Sequence, residues 1–189
     1  MIYVFNLRHF KWLIMLLLLI LILLLFVLSG RWFIRQIYPL KYSDYIFKYS
    51  KENQVDPYLT ASIILVESKY YPNAVSKKGA RGLMQIMPRT GEWVAQQLDL
   101  EGFHPDYLFD PEINIKIGTW YLSYLMKQFN GDLTLVLAAY NGGQGNVRDW
   151  LQQRNSNKEN DLEDFPFRET RQYVIKINRV YRVYKRLYG

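Results

Sequence analysis

An unbroken run of 17 apolar residues, Trp12 to Leu28, is the feature that most constrains this chain. As an α-helix the run would cover about 25 Å, which is the short end of a bilayer span. A helix that is apolar on every side has no polar face to present to water. The run predicts one transmembrane helix over about residues 12–30, inside an anchor and juxtamembrane linker over residues 1–41.

Two other interpretations of this run are a cleaved signal peptide and a buried core helix. The apolar part of a signal peptide is usually about 7–15 residues long and precedes a small-x-small cleavage site, for which Val27 to Gly30 is a weak match. Arg8 and Lys11 precede the run, and Arg31 and Arg35 follow it closely. The positive-inside rule therefore does not decide the orientation.

The net charge of +7 raises the question of nucleic-acid binding. Residues 1–41 hold five basic and no acidic side chains, and residues 168–189 hold seven basic side chains against Glu169. The remaining stretch, 42–167, is mildly acidic, so the basic excess lies at the ends of the chain and predicts no nucleic-acid partner. The chain has no Cys and only two His residues, which excludes disulfides, thiol catalysis and Cys- or His-rich metal sites. No metal or organic cofactor is indicated.

Helix signals recur through residues 42–189, whereas the alternation typical of strands is nearly absent. Asp-Pro pairs and a Met-Pro pair begin helices, and glycine ends one. These signals predict an all-α domain with helices at Ser43 to Asn53, from Asp56-Pro57 through Ser68, from Met87-Pro88, from Asp110-Pro111 to Phe129, at Leu133 to Asn141 and at Glu169 to Leu187. Asn155 to Asp164 is polar and predicts a surface loop.

Glu67 lies near the end of an apolar helix, where Ile63 and Ile64 are its neighbours on the helix surface. Burial beside such neighbours would raise the carboxyl pKa and suit it to act as a general acid near neutral pH. The alternative is a helix-end Glu that points to solvent or pairs with Lys69. Gln85, which sits between Met84 and Ile86, is either a cleft residue that binds sugar groups or an amide satisfied by the backbone.

Several motifs together resemble the soluble lytic transglycosylase (SLT) family over about residues 44–188. The matching blocks occur in the family's order at ordinary spacings, and they are Glu67-Ser68, Pro72 to Ser76, Gly79 to Pro88, Ala138 to Gly143 and Glu169 to Val174. Gly142-Gly143 departs from the family's Ala-Gly by one small residue. The resemblance implies a goose-lysozyme-like helical fold, preceded here by the membrane helix.

The resemblance also implies the reaction. It implies cleavage of the β-1,4 bond between N-acetylmuramic acid (MurNAc) and N-acetylglucosamine (GlcNAc) in peptidoglycan, with a 1,6-anhydroMurNAc product. Glu67 would be the sole catalytic carboxylate, first as acid and then as base. The substrate-binding residues implied by the same motifs are Ser76, Met84, Gln85, Tyr140, Asn141 and Tyr173. We interpret Glu169 as a helix N-terminal acid favoured by the helix dipole, and His104 as structural.

Two other functions remain open from the sequence. One is a catalytically silent cell-wall-binding module, and the other is a lysozyme-type hydrolase of the same fold. The partners expected are peptidoglycan strands and the membrane. Because peptidoglycan lies outside the cytoplasmic membrane, the catalytic domain at 42–189 is expected on the extracytoplasmic side of a single-pass bacterial protein.

Overall fold

The computed structural model describes residues 7–153 and 168–189, without the side chains at 7–10, 26–29 and 31. The chain divides into two compact units, Met1–Pro39 and Leu40–Gly189. The first contains one helix, α1 (Leu7–Ile37). Its apolar side chains from Trp12 to Leu25 are exposed. The predicted polar loop at 155–164 lies outside the described residues.

The predicted membrane span at about residues 12–30 falls within α1. Among the residues that the structure describes, no helix combines the length and the apolar character needed to cross a membrane.

The second unit is helical, as the sequence predicts. Its α-helices are α2 (Ser43–Glu52), α3 (Pro57–Ser68), α4 (Pro88–Gln97), α5 (Pro111–Gln128), α6 (Leu133–Gly142), α7 (Gln144–Gln153) and α8 (Arg168–Tyr188). A short 3-10 helix, Pro105–Phe109, precedes α5. No strand occurs in the described ranges, only isolated bridges that join Arg81 to Val75 and to Ile86.

Local capping explains why three of these helices begin where the sequence places them. Asp56, Asp110 and Asp132 each accept a hydrogen bond from a backbone N–H in the first turn of α3, α5 and α6. Such a bond satisfies one of the donors that a helix start leaves without a partner. At the other end of α6, Gly143 takes a φ of 90°, a conformation that glycine adopts at little cost.

Helix α3 lies at the centre of the core. It packs against α8 and α2, and α8 also packs against α6. Its residues Leu59 to Ile64 are buried, and Ile63, Ile64, Val174 and Ile177 are fully inaccessible to solvent. The apolar packing therefore fixes the end of α3, which carries Glu67, against the first turns of α8.

The segment between α3 and α4 is an irregular loop held by a buried amide. Asn114 on α5 donates to the carbonyl oxygens of Arg81 and Leu108, at 3.0 and 2.7 Å, and accepts from the Met84 N–H at 2.7 Å. Gly82 takes a φ of 77°, and a Cβ there would collide with the Leu108 carbonyl and with Asn114. Asn114 thus anchors the loop on the helical core.

Candidate active site

A cleft of about 790 Å³ opens beside the end of α3. One part of its lining comes from the loop at 76–87, and another comes from the end of α6, the start of α7 and the start of α8. Of the seven predicted site residues, five line this cleft: Glu67, Ser76, Gln85, Tyr140 and Asn141. Residues that are far apart in the sequence are therefore brought to one place by the packing of α3, α6 and α8.

Glu67 is largely buried where α3 meets the cleft. Burial disfavours the charged carboxylate and raises the Glu67 pKa from 4.5 to about 7. Tyr173 and Lys176 oppose that shift, because a nearby hydroxyl donor and a cation both favour the ionised form. The carboxyl group can therefore hold and release a proton close to neutral pH.

Tyr173 faces Glu67 from α8. Its side chain is buried. Within the described residues, its hydroxyl group is also buried and makes no hydrogen bond of standard geometry. The hydroxyl is still close enough to Glu67 to lower the pKa of that carboxyl group. Burial, and then the charge of Glu67, raise the pKa of Tyr173 well above its usual value, so it stays a protonated donor.

Ser76 and Gln85 line the cleft, and their side chains also hydrogen-bond to the backbone of the loop. The Ser76 hydroxyl oxygen accepts from the N–H groups of Lys78 and Ala80. The Gln85 amide nitrogen donates to the carbonyls of Ala74 and Gly82, at 3.1 and 2.8 Å. Both residues thereby brace the loop. Within the described residues, the Ser76 hydroxyl proton and the Gln85 carbonyl oxygen have no hydrogen-bond partner.

Tyr140 and Asn141 bring the end of α6 to the cleft. The Tyr140 hydroxyl donates to the Met84 carbonyl oxygen at 2.8 Å, which joins α6 to the loop. Asn141 accepts from the Thr170 hydroxyl at 3.0 Å, which joins α6 to the first turn of α8. Asn141 itself is exposed.

Met84 and Tyr173 do not line the cleft, unlike the other predicted site residues. The Met84 side chain is fully buried because it packs where α5 has Gly118, whose missing Cβ leaves room for the sulfur atom. Met84 takes part in the site through its backbone carbonyl. Tyr173 takes part through Glu67.

The cleft also contains charged residues that the sequence interpretation did not place there, namely Lys77, Lys78, Arg168 and Glu169. Glu169 is an exposed acid in the first turn of α8, which fits the predicted helix-end position, but it also lines the cleft. No local pattern predicts this, since the packing of α8 on α3 and α6 decides it. Among the described residues, no cluster of His, Cys, Asp or Glu could hold a metal ion.

In its described residues, Leu40–Gly189 is thus a helical domain with a largely buried glutamate at a cleft. The sequence matches the Transglycosylase SLT domain family over residues 44–163, and the chain belongs to that family.

Curated relatives extend the comparison. The chain is 39% identical over 146 residues to the soluble lytic murein transglycosylase of Escherichia coli K12, covering 75% of this chain and 22% of that protein. It is 31% identical over 176 residues to the membrane-bound lytic murein transglycosylase C of Edwardsiella ictaluri, covering 78% of this chain and 47% of that protein. The chain thus spans less than half of either relative.

Solved structures of lytic transglycosylases also resemble this fold. The 70-kDa soluble lytic transglycosylase in complex with bulgecin A matches 80% of this chain and 25% of its own, with a TM-score of 0.75 at 38% identity. The lytic transglycosylase Slt of Pseudomonas aeruginosa, solved as an inactive glutamate-to-glutamine mutant, matches 79% of this chain and 24% of its own, with a TM-score of 0.72 at 31% identity.

Proposed function

We propose that this chain is a peptidoglycan lytic transglycosylase that cleaves the MurNAc-β-1,4-GlcNAc bond without water and leaves 1,6-anhydroMurNAc ends. The observation that carries the proposal is Glu67, a largely buried carboxyl group with a pKa of about 7 at a cleft of about 790 Å³. Membership of the SLT family and the names of the relatives support the same reaction.

In the first step Glu67 acts as the general acid. Its protonated carboxyl group donates a proton to the glycosidic oxygen while the bond from that oxygen to the MurNAc C1 breaks. A carboxyl group with a pKa near the working pH is about half protonated there, which suits proton donation. The leaving GlcNAc takes that proton as its new 4-hydroxyl hydrogen.

In the second step the Glu67 carboxylate acts as the base. It takes the proton of the MurNAc C6 hydroxyl, whose oxygen attacks C1 to close the anhydro ring. Because the nucleophile belongs to the substrate, attack needs no ordered water and gains from proximity. The proton returns to Glu67, so the enzyme ends the cycle as it began.

Tyr173 acts between these steps by favouring the ionised carboxylate. Its hydroxyl is buried, protonated and without another partner in the described residues. A donor fixed beside a carboxylate stabilises charge where it develops, without reorganisation of solvent. Tyr173 is thus a positioning and electrostatic residue, not a substrate contact.

The sugar is held by polar groups that line the cleft around Glu67. The Gln85 carbonyl oxygen and the Ser76 hydroxyl proton bind hydroxyl or acetamido groups from the loop, and Asn141 binds them from α6. Tyr140 lines the cleft beside them, and its hydroxyl is held by the bond to the Met84 carbonyl oxygen.

A lysozyme-type hydrolase is the second candidate, because Glu169 gives the cleft a second carboxylate. Glycosidases that use two carboxylates employ the second one as a nucleophile or to activate water. If Glu169 has that role, Glu169→Gln will abolish cleavage and the products will carry reducing ends. If the chain is instead a lytic transglycosylase, Glu169→Gln should still form anhydro ends.

Anchoring by the N-terminal segment is a further part of the proposal. It rests on the 17-residue apolar run, on the exposed apolar side chains of α1 and on membrane-bound relatives. The catalytic unit would then lie on the extracytoplasmic side, where its substrate is. Protease treatment of intact cells or spheroplasts tests this, because a protected catalytic unit would refute it.

The test of the function uses the purified full chain and isolated sacculi. Wild-type protein should release anhydro-muropeptides, and Glu67→Gln should lower the rate by at least about a hundredfold. Glu92→Gln, which removes an exposed carboxylate outside the cleft, is the matched control and should retain activity. Retained activity in Glu67→Gln would contradict the mechanism, and binding of sacculi without any release by wild type would indicate a silent module.

A further inference from the structure

The outer face of α8 carries arginines that the proposed mechanism does not use. Between positions 172 and 186, five of the seven exposed side chains are cations and none is acidic. Lys176 favours the ionised form of Glu67, and Lys185 pairs with Asp56 at 3.1 Å. The remaining three cations, called here the arginine row, are Arg179, Arg182 and Arg186. Within the described residues none of the three forms an ion pair.

The helix holds the arginine row on one side of the catalytic unit. Positions three and four apart are neighbours on a helix surface, so the row runs along α8 for about 10 Å. The opposite face is fixed in the core, where Val174, Ile177 and Tyr184 are fully inaccessible to solvent. None of the three arginines lines the cleft. The row is therefore a firmly placed outer surface that is separate from the catalytic cleft.

The row is unfavourable for the protein alone, because like charges three and four residues apart destabilise a helix. The helix dipole favours cations in the last turn, and this accounts for Lys185 and Arg186. Arg179 and Arg182 precede that turn, and in the part of the chain that the structure describes no acid pairs with them. An anionic partner would turn the repulsion into attraction, so the row indicates one.

The chemistry of the row and the length of the chain point to lipid phosphates. Guanidinium groups bind phosphate through paired hydrogen bonds, and the convex side of a helix suits an extended array of phosphates. Helix α1 ends at Ile37 and α2 begins at Ser43, and the residues between them reach at most about 20 Å. If α1 is held in a bilayer, as proposed above, the catalytic unit stays beside a phosphate-bearing lipid surface.

We propose that the arginine row binds the phosphate groups of anionic lipids and so docks the catalytic unit on the bilayer surface. The inference goes beyond the proposed reaction, and it uses the proposed anchor only to choose lipid phosphates over other phosphates. Because α8 begins at Arg168, which lines the cleft, docking would also fix how the cleft faces the glycan strands next to the membrane.

The expected size of the effect follows from the number of cations. Each cation near an anionic lipid surface strengthens binding about fivefold, so loss of all three should weaken docking about a hundredfold. Salt screens this attraction over about 10 Å, and docking should therefore weaken as ionic strength rises.

The experiment measures how closely α8 approaches the lipid. The chain has no Cys, so Gln172→Cys, at an exposed position of α8, gives one thiol for a fluorescent dye. The labelled full chain is reconstituted in vesicles of phosphatidylcholine alone or of equal amounts of phosphatidylcholine and phosphatidylglycerol. A small fraction of the lipids carries a nitroxide on the headgroup, which quenches the dye only at close range. Co-flotation with the phosphatidylcholine vesicles reports separately on the anchor.

Two charge variants are compared on this labelled background. The test variant combines Arg179→Gln, Arg182→Gln and Arg186→Gln. The control variant combines Lys51→Gln, Arg89→Gln and Lys127→Gln, which remove the same charge from exposed sites outside the cleft. Urea unfolding of the test variant should match that of wild type, which shows that the substitutions leave the fold intact.

We expect strong quenching of wild type and control in the vesicles with phosphatidylglycerol, little in phosphatidylcholine, and loss of the difference in the test variant and at high salt. Equal quenching in both kinds of vesicle, an unchanged difference in the test variant or an equal loss in both variants would overturn the inference. So would a soluble glycerol-phosphate polymer that binds wild type but not the test variant while anionic vesicles give no quenching, since the row would then bind a wall polymer. Failure to float with phosphatidylcholine would refute the anchor alone, because the quenching difference still decides whether the row binds lipid.

Discussion

The Tyr140 hydroxyl donates a 2.8 Å hydrogen bond to the carbonyl oxygen of Met84, and this contact joins α6 to the loop on the other part of the cleft lining. Tyr140 is 56 positions further along the chain. Burial, and then the nearby charge of Glu67, raise the pKa of Tyr140 well above its usual value. The Tyr140 hydroxyl thus ties two segments of the cleft lining together.

Tyr140→Phe tests this contact. Removing the hydroxyl leaves the Met84 carbonyl without its donor, and we expect a loss of about 1–2 kcal/mol in the free energy of unfolding, measured by urea denaturation. Tyr124→Phe is the control, because its hydroxyl donates a longer bond of 3.3 Å to the Gln144 side chain. Equal effects of the two substitutions would contradict the role given to the Tyr140 bond.

Asn114→Ala should destabilise the protein more than any substitution of a cleft side chain. It removes two donors and one acceptor from buried backbone groups of Arg81, Leu108 and Met84. We expect a loss of about 3 kcal/mol or more by the same denaturation measurement. Asn146→Ala, which removes one exposed bond to the Gly142 carbonyl, should cost less than about 1 kcal/mol. A loss of that small size for Asn114→Ala would mean that the loop does not depend on its anchor.

The pH dependence of activity follows from the raised pKa of Glu67. Only the protonated acid can donate in the first step, so kcat/KM should fall about tenfold per pH unit above a pH of about 7. Tyr173→Phe removes a group that lowers this pKa. The alkaline limb of the pH profile, where kcat/KM falls, should therefore move to higher pH. Tyr71→Phe, on an exposed ring, is the control and should leave the limb in place. A limb that does not move, or that moves to lower pH, in Tyr173→Phe would contradict the contact with Glu67.

Glu67→Gln should also change how stability depends on pH. The folded-state pKa of about 7 lies above the unfolded value of 4.5, so the stability of the wild-type fold is fully present below about pH 4.5 and falls as pH rises through 7. The neutral amide avoids that loss. The variant should match wild type near pH 4 and exceed it by about 2–3 kcal/mol near pH 8 in urea denaturation. If the two proteins differ in free energy of unfolding by the same amount at every pH in this range, the Glu67 pKa is not raised in the folded protein.

Much of the helical framework could be predicted from the sequence because its signals are local. Asp56, Asp110 and Asp132 cap helices through bonds to neighbours two or three residues away. Helix α7 was missed because it follows Gly142-Gly143 directly and has only Val147 as a buried residue, which gives no apolar period. The short 3-10 helix was missed for a similar reason, since only Leu108 in it is buried.

Site residues could be predicted where neighbours on the same helix determine their surroundings. They could not be predicted where contacts between distant segments do so. Glu67 could be placed on a buried face from Ile63 and Ile64, which are its neighbours on one helix. Asn114 could not be recognised, because its three partners lie on other segments that only the folded chain brings together. Its position among Ile113, Ile115 and Ile117 was the available signal, an amide in an apolar stretch.

Whether an oxygen atom from water enters the product separates a lytic transglycosylase from a hydrolase. Purified full-length protein would digest sacculi in water enriched in ¹⁸O, and mass spectrometry would follow the new muramoyl ends. We expect anhydro ends that are one water lighter than reducing ends and contain no ¹⁸O, because the C6 hydroxyl of the substrate is the nucleophile. Reducing ends that carry one ¹⁸O atom at C1 would contradict the proposed mechanism and make this chain a hydrolase.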